Sequence, residues 1–176
     1  MSIARVWLVS LFALISGAAH AMEESPLFYT RAKMAIERQS PPPPLPWQDT
    51  ATPNAIMFDI ELRDGTVFYN QKGWFNLSRP ADDSGLMLYF GAPVMAPVVN
   101  APYYATLDIL MIDAQGKILQ ILPSLQLASL DAEYYPADPI AAFLILPGGA
   151  CERLSIHPGD YIVYKLFKRP PAMVKS

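Results

Sequence analysis

Between Thr106 and Leu122 the chain reads TLDILMIDAQGKILQIL, two apolar runs broken once by polar residues. In the first run Leu107, Ile109 and Met111 alternate with Asp108, Leu110 and Ile112. Both rows are mostly apolar, the pattern of a strand covered on two sides. Asp113-Ala114-Gln115-Gly116 supplies a turn-starting Asp and a Gly where a type I turn with a bulge requires positive φ. Lys117 to Leu122 then returns antiparallel. A buried helix is the competing reading, but the Gly interrupts the run and each half has strand length.

The same pattern, followed along the chain, places the other elements. Ser25-Pro26 at N-cap and N1, with Phe28, Ala32, Ala35 and Ile36 at helical spacing, predicts a short amphipathic helix from Ser25 to Arg38. Ser40 to Trp47 holds five prolines, which lack donors and fix φ, so 22–53 is expected to be a helix and a stiff proline-rich spacer. Ile56 to Leu62 alternates as a strand, and Asp64-Gly65 offers a hairpin turn into a strand from Thr66 to Tyr69. Ser78 to Gly85 is a polar loop and Leu86 to Phe90 a strand. Gly91 to Tyr103, with its three prolines, suits an irregular or edge strand. Ala128 to Pro139 is a looser connection, Ile140 to Leu146 a continuous apolar strand, and Gly148 to Ile156 one or two helical turns. A last strand is expected from Tyr161 to Phe167, and 169–176 as a tail. Short strands with turn signals between them predict a mainly β, antiparallel sandwich or barrel over 54–168, as one domain with one or two short helices.

Composition adds a destination. Met1 to Ala21 carries one Arg, an apolar run from Val6 to Ile15, and small residues at Ala19 and Ala21, the pattern of a cleaved secretory signal. The run is shorter than the ~20 residues a span requires, so no stable membrane span is expected once it is removed, and the chain is placed in the periplasm or outside the cell. Of 13 Lys and Arg, loss of Arg5 leaves 12 against 16 acids, a net charge of −4 that argues against a nucleic-acid partner. Cys151 is the single Cys, so stability after export must come from the core rather than a disulfide.

Six segments occur in an order that resembles the domain of unknown function 192 family, an uncharacterised protein family. They are Ile60-Glu61-Leu62, Lys72-Gly73-Trp74-Phe75, Gly85-Leu86-Met87-Leu88, Leu107 to Asp113, Leu146-Pro147-Gly148-Gly149, and Leu154 to Asp160. The most specific are the L-D-I-L-x-I-D-x-x-G hairpin and the closing P-G-D. The resemblance spans Phe58 to about Phe167 and implies a compact β-sandwich of jelly-roll type. It brings no established activity. Where the family pattern reads W-M-K-N-T, this chain has Val99-Asn100-Ala101-Pro102-Tyr103, and Ile145 replaces the Glu of L-E-L. A polar site at those positions in the family would be lost or remodelled here.

Little in the chain points to catalysis. Cys151 and His157 lie six residues apart across a turn with no orienting motif, so a small buried Cys and a surface His are the simpler reading. No metal-ligand spacing, phosphate loop or dinucleotide fingerprint is present, and no cofactor is expected. Asn76-Leu77-Ser78 is a glycosylation sequon, a short and common match. Asp108, an acid among apolar neighbours, is either a ligand-binding group or a carboxylate satisfied by loop amides, with the second favoured because buried carboxylates are normally satisfied so. A hydrolase-like enzyme would pair it with Glu61. That enzyme is the alternative; the favoured reading is a non-catalytic domain that binds a small molecule, envelope polymer or partner protein through the loops Val94 to Tyr104 and Ala128 to Pro139, with Asp108, Asn100, Tyr103 and Tyr104 as candidate ligand-binding residues. Trp74, Tyr89, Tyr134 and Tyr135 could join a sugar-stacking surface. Pro158-Gly159-Asp160 reads as a structural turn: Pro sets φ, Gly takes the left-handed position, and Asp accepts from nearby amides.

Overall fold

The computed structural model describes residues 30–40, 54–70, 79–99, 106–125 and 133–168. The strands are β1 (Thr30–Glu37), β2 (Ala55–Asp64), β3 (Ser84–Val94), β4 (Val98–Val99), β5 (Leu107–Ile112), β6 (Ile118–Leu125), β7 (Glu133–Tyr134), β8 (Ile140–Pro147) and β9 (Tyr161–Val163), with short helices α1 (Gly65–Asn70) and α2 (Ala150–Arg153). Seven strands form one sheet in the order β6-β5-β8-β3-β2-β1-β9, and β4 pairs with β7 in a separate two-stranded ribbon.

The predicted hairpin lies at one edge of the sheet, with β6 outermost and β5 between it and β8. All six residues of β5 and all eight of β8 are buried, because each strand has apolar residues on both faces and both faces are covered. The turn is as the sequence implies: Gly116 has φ +85°, its N–H donates to the Asp113 carbonyl at 3.1 Å, and the Asp113 carboxylate accepts from Gln115 and Lys117.

The sheet curls into a half-barrel whose two edge strands meet at one end. Lys117 bridges Tyr161, Ile162 N–H donates to the Gly116 carbonyl at 2.7 Å, and Ile118 N–H donates to the Asp160 carbonyl at 2.8 Å. Inside the curl Met34, Ile36, Phe58, Ile60, Met87, Leu110, Leu144, Cys151, Ile162 and Phe167 share one core. On the outer face Leu86, Leu88, Ile109, Phe143 and Ile145 form a second core, covered by Phe68 of α1 and Val98 of the ribbon. Side-chain alternation therefore divides each central strand between two cores, at roughly 1.5–3 kcal/mol per fully buried large apolar side chain.

Three expectations change. Thr30–Glu37 is a strand rather than part of a helix, with Met34 and Ile36 inward and Arg31 and Lys33 outward, and it pairs with β2 and β9. The sheet thus takes in residues well before Asn54. Asp64-Gly65 opens α1 instead of a hairpin: Asp64 Oδ1 accepts the Val67 N–H at 3.0 Å, an N-cap bond, and the chain then crosses over so that β3 pairs with β2 in parallel. The sheet is therefore mixed, not wholly antiparallel. β9 stops at Val163, after which a turn carries Phe167 into the inner core against Tyr89, ring centroids 6.0 Å apart. The predicted signal, the proline-rich spacer, the sequon and the tail lie outside the described residues, and among those described no helix is long and apolar enough to cross a membrane.

Candidate functional site

Asp108 projects to the inner face of β5 and has 0% exposure. Its Oδ1 accepts N–H groups from Ser124 at 2.7 Å and Gly149 at 2.9 Å, and its Oδ2 accepts from Cys151 at 2.7 Å. Two of those donors belong to residues in the left-handed region, Ser124 at φ 46° and Gly149 at φ 78°. The register irregularity of β6 beyond Leu122 is where Ser124 lies, and Gly149 begins α2. One carboxylate thus gathers the β6 bulge, the β8–α2 corner and the first turn of α2, the satisfied arrangement rather than one open to a ligand.

Burial first, and then the negative charge of Asp108, push the Cys151 thiol well above its ordinary value. It is 4% exposed and holds its proton, the reverse of an activated nucleophile. His157 is exposed on the far side of α2's end. The folded thiol is raised above its ordinary value of 9.0, so its contribution to stability is fully present below that pH and fades as pH rises beyond it. Iodoacetamide should modify Cys151 on the order of a hundredfold more slowly in the folded protein than in urea. Labelling at equal rates in both states would show the thiol to be open.

Glu61 does not approach Asp108. In the ladder Glu61 pairs with Leu86, Leu86 with Ile145, and Ile145 with Ile109, so Glu61 shares the outer face with Ile109, three strand spacings or about 14 Å from β5. Asp108 points to the opposite face. The paired carboxylates of the hydrolase reading are not formed, and Glu61 is instead held by Arg63, whose Nη2 and Nε lie 2.6 and 2.7 Å from Oε1. Among the described residues no group of three or more His, Cys, Asp or Glu side chains could hold a metal ion.

The two loops read as binding loops are brought together. Val98 pairs with Tyr134 and Val99 with Glu133, forming the β4–β7 ribbon. Buried Val98 and a hydrogen bond from the Tyr69 hydroxyl to the Pro97 carbonyl anchor it to the outer core. Tyr135 is 57% exposed beside it, Tyr134 and Met95 are also exposed, and the Tyr135 hydroxyl donates to Glu133 at 2.7 Å. That bond, and then the Glu133 charge, hold the Tyr135 phenol above its ordinary range. Asn100, Tyr103, Tyr104 and Trp74 lie outside the described residues. Pro158-Gly159-Asp160 sits at the seam of the curl: Gly159 has φ +101°, and the buried Asp160 carboxylate accepts from His157 N–H at 2.8 Å and Gln39 N–H at 2.7 Å.

Sequence reasoning missed a groove of about 580 Å³ over β1, β2 and β3, lined by Arg31, Asp59, Glu61, Arg63, Ser84 and Leu86 and walled by Pro80 and Ala81. Once Thr30–Glu37 is seen as a strand, its alternation of Arg31 and Lys33 with Ala32 and Met34 is the signal that could have found it.

A curled, two-cored β-domain with a sealed carboxylate hub and polar surface sites defines the class. The profile of the domain of unknown function 192 family, described as an uncharacterized ACR, matches residues 46–164, and the chain belongs to that family. Its fold is similar to that of a Sinorhizobium meliloti 1021 protein described as a "putative transcription regulator", at 22% identity and TM-score 0.62 over 78% of this chain and 95% of that one. It is also similar to a protein of unknown function from Novosphingobium aromaticivorans DSM 12444, at 21% identity and TM-score 0.59 over 76% and 85% of the two chains. No functionally curated protein matches the chain.

Proposed function

We propose that the protein acts after export, in the periplasm or outside the cell, as a non-catalytic domain that binds an envelope component through the β4–β7 ribbon and its flanking loops. The observation that carries this reading is the pairing of Val98-Val99 with Glu133-Tyr134, which joins two loops distant in sequence into one anchored platform with exposed tyrosines. Tyrosine offers a rigid apolar face with a polar tip, suited to stacking on sugars or packing on a peptide. Export rests on the charged start, short apolar run and Ala19-x-Ala21 ending of the first 21 residues.

Thermal-shift screening against envelope sugars and peptides tests the binding. A stabilising ligand whose effect disappears in the Tyr134→Ala/Tyr135→Ala double variant, with the ligand-free midpoint unchanged, is the expected result. A flat response together with no partner on pull-down would sink it. Mass spectrometry of the natural protein should find Met22 at its N-terminus, and an intact Met1 in the membrane fraction would refute export.

A further inference from the structure

The pairing of β1, β2 and β3 lays two rows of side chains across the outer face, Arg31–Glu61–Leu86 and Lys33–Asp59–Ser84. Arg31, Asp59, Glu61, Ser84 and Leu86 of these rows line the 580 Å³ groove. Its charges are not equivalent. Asp59 is neutralised by Lys33 at 2.8 Å, and Glu61 by Arg63 at 2.6 Å. Arg31 has no ion pair or hydrogen bond among the described residues. Arg31, across from Glu61 in the ladder, is thus a guanidinium of the groove with no bonded partner among the described residues, and its planar fork matches a carboxylate with two parallel N–H donors. Pro80 and Ala81 add apolar surface beside it, over the nearly buried Leu86, and the volume lies in the range of small-molecule sites.

We propose that this groove is a binding site for a small organic carboxylate with an apolar body, its carboxylate on Arg31 and its body against Leu86 and the Pro80-Ala81 wall. The apolar lining distinguishes such a ligand from a bare inorganic anion. The site is separate from the ribbon, so its success or failure says nothing about ribbon binding.

The test titrates the full chain with N-acetylphenylalanine, its neutral amide and inorganic phosphate, following backbone amide shifts at residues 31, 59–63 and 84–86. The acid should shift these amides and saturate, while the amide and phosphate bind at least about tenfold more weakly. Arg31→Gln should weaken the acid by about tenfold and Arg31→Lys by less, since lysine keeps the charge but loses the fork. Both variants should keep the wild-type melting midpoint, because Arg31 is exposed. Equal binding of acid and amide, unchanged affinity in a folded Arg31→Gln variant, or no shift at these amides at millimolar acid would each overturn the proposal.

Discussion

Asp108→Ala should destabilise the protein by about 4 kcal/mol, because one buried and two part-buried hydrogen bonds lose their acceptor and each orphaned donor costs roughly 1–3 kcal/mol. The donors come from Ser124, Gly149 and Cys151, and neither Ser124 nor Gly149 can turn to a new partner without leaving the left-handed conformation that aims it at the carboxylate. Asp108→Asn should cost less, about 2 kcal/mol, since one oxygen remains while the amide nitrogen faces a donor. Urea denaturation measures both, with the slope showing whether the variants still unfold from the same native state. The same variants discriminate function. A hub of this kind loses stability in parallel with any binding, whereas an Asp108→Asn variant that kept its midpoint and lost activity would restore the enzyme reading.

What the sequence makes legible follows from where local and long-range signals agree. The β5–β6 hairpin was readable because a two-faced apolar run and the Asp113–Gly116 turn chemistry point to the same structure. β1 was not, because Ala32 and Ala35 suit either period, and a helical set drawn through them left out Met34, which with Ile36 marks the inward row. Asp64-Gly65 misled for a related reason: Asp starts hairpin turns and also caps helices, and the choice is made by Phe68 packing into the outer core, whose other buried members all lie later in the chain, from Leu86 to Ile145. At the sites, Asp108 was readable as a buried carboxylate satisfied by amides. Its donors were not, since they lie 16, 41 and 43 residues away. The groove was invisible for the same reason, because Arg31, Glu61 and Leu86 become neighbours only through strand register.

Gly116→Val should cost about 4 kcal/mol, more than the same change at Gly159, although both glycines have positive φ. At Gly116 a Cβ would lie 2.7 Å from the Ile162 carbonyl oxygen and 3.0 Å from Phe167 Cβ, so the seam must part to admit it. Backbone strain of roughly 1–3 kcal/mol for a left-handed non-glycine residue adds to that clash. Gly159, at φ +101°, has nothing within 4 Å of the corresponding Cβ, so Gly159→Val carries the strain alone, on the order of 1 to 3 kcal/mol. His157→Ala in the same turn should change stability by less than about 0.5 kcal/mol, because the exposed ring is lost while its backbone N–H still reaches Asp160. Hydrogen exchange separates the mechanisms. In Gly116→Val the Ile162 and Ile118 amides, which hold the curl closed through the Gly116 and Asp160 carbonyls, should exchange faster than the amides of β8. If Gly159→Val proves the more damaging of the two, the edge-to-edge seam is not what closes the half-barrel. Loss of binding in His157→Ala at unchanged stability would instead make this turn a functional site.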